Sequence, residues 1–289
     1  GKIDVAADNI DDNRNKLLSA LDGYVAHGST PLSESFFEAA LYLRGDKPRN
    51  GSNSTSDALS GSKYKSPITS GCQSISNIVL FTDGDPQFDD DANKKIEALL
   101  VDAGIDFKTY PGLDEDDRKV LTNNCSNDTL SFSTGYGKGQ GHGSCAEELA
   151  FYLANVDQLP DLPGKQVIHT YTIGGFFDEG EGEGAGEGLT PIGTYMWNIA
   201  HYGKGVYKSA TSKAEIIESF QEAVTVLLED PVTFVAPSVA ANSYNSLEHL
   251  DQLYYAMFVP SADNNWQGNL KSYRLSPDGL VVDANGDEA

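Results

Sequence analysis

The sequence predicts an α/β fold: a mainly parallel sheet flanked by helices, followed by a β-rich segment. Three observations lead there. Two apolar runs, NIVLF (77–81) and QVIHTYTIGGF (166–176), have the length and content of strands buried on both faces. Segments with helical apolar spacing lie before, between and after them, and strands alternating with helices imply a parallel sheet with helices on both sides. After Pro231 the texture changes to alternating apolar residues, aromatics and turn pairs such as Asp278-Gly279 and Asn285-Gly286, the grammar of antiparallel β-structure. A domain boundary is expected near Asp230, giving residues 1–230 and 231–289.

Taken in order, DDNRNKLLSALDGYVAHG (11–28) spaces Leu17, Leu18, Leu21 and Val25 as a helix would, with Gly28 as its stop. TPLSESFFEAALYLRG (30–45) places Leu32, Phe36, Ala39, Ala40 and Leu43 on one helical face and ends at Gly45. Residues 46–66 read as a polar loop. A helix is expected over 91–104, an ambiguous and partly extended stretch over 105–117, and a loop over 122–144. CAEELAFYLANVDQL (145–159) and TYMWNIAHYG (194–203) read as helices, with the acidic, glycine-rich DEGEGEGAGEG (178–188) between them. GVYKSA (205–210) is a short strand, and 212–230 a long helix capped by Ser212.

Composition narrows the function. The chain carries 43 acidic and 20 basic residues, a formal charge of −23, which repels nucleic-acid backbones and anionic bilayers and attracts cations. At 39% hydrophobic, with 14 Tyr and 12 Phe, it has the material for a packed core. No run approaches the roughly 20 apolar residues of a membrane-spanning helix, and the opening Gly1-Lys2-Ile3-Asp4 has no apolar signal-peptide core. Membrane insertion and nucleic-acid binding are therefore not expected.

Catalytic motifs are missing. No G-x-S-x-G turn occurs, the five histidines show no metal-ligand spacing, and the acids of 178–188 sit on a glycine run where burial cannot tune them. GEGEGAGEG lacks the lysine of a phosphate loop, and its acids would repel phosphate. DANGD (283–287) has oxygen residues at alternate positions but no following bidentate Glu, so a hairpin turn is the better reading. Trp266, Tyr255 and Tyr273 could form a binding platform, with packing under a β-domain the default. A non-enzymatic binding role is expected.

The candidate site is built from two loops. GSTPLSES (28–35) puts Thr30 just before a helix, and TDGDP (82–86) puts Asp83 just after a strand. In a parallel sheet both fall at the carboxyl rim, where α/β folds keep their ligands. A hydroxyl and a carboxylate are hard oxygen donors suited to Mg²⁺, Mn²⁺ or Ca²⁺. Thr30 also suits a helix N-cap, Asp83 an ordinary turn, and Ser29, Asp85 and Asp89-Asp90-Asp91 a solvated helix start.

A strand ending in T-D-G, with G-S-T-P-L opening an upstream helix, resembles the von Willebrand factor A domain, whose rim carries a metal-ion-dependent adhesion site. The resemblance implies that Thr30 and Asp83 are metal ligands. The D-x-S-x-S that such a site takes from a first strand does not occur here. The expectation is a chain that begins inside the domain, with the missing N-terminal strands supplied by the same or another chain.

A narrower resemblance covers most of the length. NRNKLLSALDGYVAHGSTPLSESFFEAALYLRG, CQSISNIVLFTDGDPQFDDDAN, CAEELAFYLANVDQ, LPGKQVIHTYTIGG and FVAPSVAANSYNSLEHLDQLYYAMFVPS with WQGNLKSYRL are similar to PilC/PilY-type tip proteins of type IV pili. In that family the last block leads into a β-propeller. The resemblance implies a secreted adhesin and assembly protein at the pilus tip on the bacterial outer surface. Its expected partners are minor pilins and a host or surface ligand, with Mg²⁺ or Ca²⁺ as cofactor in the complete site. The alternatives are a von Willebrand A module of another surface adhesin, or a structural filament subunit.

Three cysteines complete the reading. Cys125 and Cys145 flank one loop at the expected upper rim, whereas Cys72 precedes the 77–81 strand, on the order of 20 Å away at the opposite rim. A bridge needs Cα atoms within about 7 Å, so Cys125–Cys145 is the expected disulfide. Free buried thiols are the alternative, and Cys72 is either free or bonded elsewhere.

Overall fold

The computed structural model describes residues 1–25, 28–69, 75–124, 143–176, 189–229, 234–239, 252–259, 267–275 and 281–282. The chain divides into two compact units, Gly1–Ala223 and Val224–Ala289.

The first unit is a three-stranded parallel sheet with helices on its faces, compatible with a Rossmann-like fold. Its strands are β3 (Ile75–Thr82), β4 (Val167–Gly175) and β5 (Lys204–Ala210), in that spatial order. β3 pairs with β4 without interruption from Ile75↔Val167 to Thr82↔Gly174. The β4–β5 ladder shifts register between Thr170 and Thr172, and Gly205 lies so close to the Thr170 carbonyl there that a side chain could not fit.

Strand alternation sorts the two faces. Ile78, Leu80 and Ile168 point into the main core with Phe36, Leu149, Met196 and Ile199. Those partners come from α2 (Leu32–Arg44), α5 (Ala146–Asn155) and α6 (Pro191–Tyr202). On the opposite face Phe81 meets Phe220 of α7 (Lys213–Glu229), ring centroids 5.8 Å apart. α5 is buried from Ala146 to Ala154, its first-turn acids Glu147 and Glu148 included, as expected of a helix between other helices and a sheet. Gly45 ends α2 in the left-handed conformation, φ 69°, where its N–H meets the carbonyls of Leu41 and Tyr42.

Several local expectations change. α1 (Ile10–Asp22) forms, but Leu17, Leu18 and Leu21 are 40–60% exposed and Val25 beyond it is 74% exposed. Its amphipathic stripe is not covered by the described residues. The stretch expected as a polar loop, 46–66, holds two short 3-10 turns and a hairpin of β1 (Leu59–Ser60) and β2 (Lys63–Tyr64). It is organised around a buried carboxylate: Glu38 accepts the N–H groups of Arg49, Asn50 and Gly51 and the Tyr64 hydroxyl. Residues 105–117 contain no strand; they follow α3 (Asn93–Asp102) as turns into the short α4 (Asp117–Val120).

In the second unit β6 (Phe234–Val239), β7 (Gln252–Val259), β8 (Gln267–Leu275) and β9 (Val281–Val282) form an antiparallel sheet in sequence order. No helix among the described residues is long and apolar enough to cross a membrane.

Candidate functional site

The loop after β3 and the loop before α2 meet at the carboxyl rim of the sheet. The contact is a backbone hydrogen bond: Gln87 N–H donates to the Thr30 carbonyl at 3.0 Å. Within the first loop, Thr82 Oγ1 donates to the Gly84 carbonyl at 2.9 Å and shapes the turn that presents Asp83. Asp83 is exposed and Thr30 half-buried.

Asp89 anchors this junction. It is fully buried, and its carboxylate accepts the Ser33 N–H at 2.7 Å and the Glu34 N–H at 2.9 Å. These donors lie in the first turn of α2, where backbone N–H groups have no helical partner and the dipole favours an anion. The sequence suggested a solvated acid at this position; burial and capping of a different helix replace that reading.

The same geometry bears on Thr30. The N-cap position of α2 is Pro31, which has no side-chain capping bond, and Asp89 supplies the cap from across the junction. The Thr30 hydroxyl and the Asp83 carboxylate make no hydrogen bond or ion pair among the described residues. Two hard oxygen donors are thus uncommitted on loops that touch.

A second acidic group joins the start of α2 to the 90–91 pair. Ligand oxygens of Glu34, Asp90 and Asp91 come within 4.8 Å of one another and could hold a metal ion. Glu34 Oε1 also accepts the Asp91 N–H at 3.2 Å, and Arg49 approaches Asp91 at 3.7 Å. Burial raises the Glu34 carboxyl above its usual range, and the neighbouring Asp89 and Asp91 charges add to the effect against the Asp91 N–H. A cation would relieve that repulsion. The acid run 89–91 marked this region in the sequence, but Glu34 carried no sign of joining it until α2 turned its first residues toward that run.

Cys145 is disulfide-bonded and buried, and it precedes α5 with φ 68°. Cys125, its expected partner, lies outside the described residues, as do Cys72, His27, His142, His249, Trp266 and the acidic run 178–188. His169 lies in β4, and His201 stacks on Trp197 at 4.6 Å. A cavity of about 340 Å³ lined by Asn13, Lys16, Tyr42, Asp57, Lys65 and Ser66 includes none of the rim residues.

The rim can therefore offer oxygen ligands from α2, from the loop before it and from the loop after β3, a donor set suited to hard divalent cations rather than to soft metals. Comparison of the chain with protein-family models, curated proteins and solved structures found no match.

Proposed function

We propose that the first unit is a non-catalytic, cation-dependent adhesion module of von Willebrand A type, carried by a secreted surface protein of the pilus-tip class. The observation that supports this reading best is the junction itself: Thr30 and Asp83, whose side-chain oxygens meet no partner among the described residues, sit on loops joined by the Gln87–Thr30 hydrogen bond. A Mg²⁺ or Ca²⁺ ion there would take the Asp83 carboxylate and the Thr30 hydroxyl, complete its shell with water or further oxygens, and keep a position for a partner's carboxylate. The surface charge of −23 suits cation uptake. Under this reading the second unit is the β-rich lead into a propeller, and minor pilins and a surface ligand are the partners.

The test is calorimetric titration of the 289-residue chain with Mg²⁺, Mn²⁺ and Ca²⁺, repeated on Asp83→Ala, Thr30→Ala and Glu34→Gln. Asp83→Ala is expected to weaken binding by tenfold or more, about 1.4 kcal/mol, and Thr30→Ala by less. Binding untouched by Asp83→Ala but lost in Glu34→Gln would move the ion to the Glu34–Asp90–Asp91 group and overturn the assignment.

A further inference from the structure

The cavity of about 340 Å³ beside α1 is held open by specific bonds. The extended segment before α1 forms one wall. Ile3 N–H donates to Ser54 Oγ and the Ile3 carbonyl accepts the Thr55 N–H, both at 2.8 Å. Further along, Ala7 N–H donates to the Tyr42 hydroxyl at 2.8 Å, which ties the segment to α2. Asn13, within α1, holds the same segment by donating its Nδ2 to the Ala6 carbonyl at 2.8 Å. The volume falls in the range of small-molecule pockets, roughly 300–1,000 Å³.

The polar groups that line it keep bonding capacity. Asn13 is 3% exposed, and with its Nδ2 spent on Ala6 its Oδ1 is buried without a hydrogen-bond partner. That state is costly for an amide until a donor reaches it. Tyr42 is buried too: its oxygen accepts the Ala7 N–H, and its hydrogen meets no acceptor among the described residues. Burial holds the phenol above its ordinary range against the Ala7 N–H, and the Asp8 charge adds to the rise. The hydroxyl therefore keeps its proton, and Asp8 lies at the same end of the cavity. At the solvent side Lys16 pairs loosely with Asp57 at 3.7 Å. Lys65 and Asp8 line the cavity without an ion pair among the described residues.

We propose that this cavity binds a small zwitterion of the amino-acid or dipeptide class, a ligand with a free ammonium and a free carboxylate. The ammonium donates to Asn13 Oδ1 and faces the Asp8 carboxylate, and the carboxylate meets Lys65. A peptide carbonyl between them accepts the Tyr42 hydroxyl. Other ligand classes leave a group opposed. A fully ionised anion would face Asp8 and offer Asn13 Oδ1 no donor. A simple cation suits Asn13 and Asp8 but is repelled by Lys65. A neutral polyol satisfies Asn13 and Tyr42 and leaves Lys65 and Asp8 without counter-charges. Lysines and aspartates are matched around the cavity, Lys16 and Lys65 against Asp8 and Asp57, in a chain of 43 acids and 20 bases. That local balance lets a carboxylate approach. The assignment is independent of the metal rim, whose residues do not line this cavity.

NMR titration of the 289-residue chain with alanyl-alanine tests it, beside N-acetyl-alanyl-alanine, alanyl-alanine amide and glucose. The free dipeptide is expected to shift the Asn13 side-chain amide and the Lys65 backbone amide saturably, with half-saturation below about 1 mM. Capping either end weakens binding about tenfold or more, and glucose binds more weakly still. Lys65→Met lowers the affinity for the free dipeptide about tenfold and brings it level with the amide. Asp8→Asn narrows the gap to the acetylated form. Both residues are exposed, so both variants keep the circular dichroism of the parent. An absence of saturable shifts up to about 20 mM dipeptide would leave the cavity to solvent. Equal binding of capped and free dipeptides would mean that Lys65 and Asp8 take no part, and tighter binding of glucose would make this a sugar site. Any of these results, or shifts confined to Thr30 and Asp83, overturns the proposal.

Discussion

Replacing Asp89 tests the junction on which the site reading rests. Asp89→Ala removes a buried carboxylate that accepts two N–H groups of α2, at 2.7 and 2.9 Å. Hydrogen bonds to a charged group contribute about 1.5–3 kcal/mol each, and an anion at a helix N-terminus up to about 2. These contributions overlap, so about 3 kcal/mol is expected in total. Asp89→Asn keeps one acceptor oxygen in place and should cost about half as much. In urea denaturation followed by fluorescence, Asp89→Ala lowers the midpoint by about 1 M. In a thermal melt a unit of this size loses roughly 6–12 °C. Cation affinity falls with it, because the same carboxylate holds the loop carrying Asp83 against the start of α2, whereas Asp89→Asn largely preserves binding. A cost below about 0.5 kcal/mol for Asp89→Ala, or equal costs for the two variants, would refute the capping argument.

Glu38→Gln turns an amide group toward donors that now meet a carboxylate, and about 2–3 kcal/mol should be lost in the same assay. Burial, reinforced by the bond to Glu38, pushes the Tyr64 phenol up, so it stays a donor throughout the neutral range and gives no pH signal of its own there. Gly51→Ala should be at least as damaging, since the added methyl would fall on the Tyr64 hydroxyl and the Glu38 carboxylate. Asp114 accepts the N–H groups of Asp117 and Asp116, which hold its carboxyl below the ordinary range. Its stabilisation is therefore present above the unfolded carboxylate's pKa and is lost as pH falls through the lower folded value. An NMR titration of the Asp114 carboxyl should show the depressed midpoint, and Asp114→Ala should flatten the acid limb of the stability curve. Leu21→Ser on the exposed stripe of α1 should cost less than about 0.5 kcal/mol, against about 2–5 for Leu149→Ala in the core, as read by denaturant midpoints.

Much of the first unit was legible because its signals are local. NIVLF and QVIHTYTIGG read as strands, although β3 buries only one face fully and leaves Phe81 41% exposed on the other, and the alternation of strands with helices restricts the sheet to parallel connections. Helix ends at Gly45 and Ser212 followed from backbone freedom and hydroxyl capping; Ser212 Oγ does accept the Glu215 N–H. Thr30 and Asp83 could be nominated as rim residues, since each directly adjoins an element whose direction the pattern implies. The 46–66 stretch was opaque for the opposite reason. Its organiser, Glu38, belongs to a helix, and nothing in a polar, aperiodic segment reveals that a distant carboxylate collects its backbone donors. Leu17, Leu18 and Leu21 show the converse: apolar periodicity predicts a helix but cannot say what covers it.

From sequence alone came the long helices and the three parallel strands, the direction of the sheet, the acidic charge and the residue types able to hold a hard cation. These depend on neighbours within a few positions, or on composition. Only the tertiary structure decided that Asp89 caps α2 from the far side of the junction and that Glu34 joins Asp90 and Asp91. Each of those outcomes depends on groups far apart in the chain, where burial removes water and a hydrogen bond must be found across space.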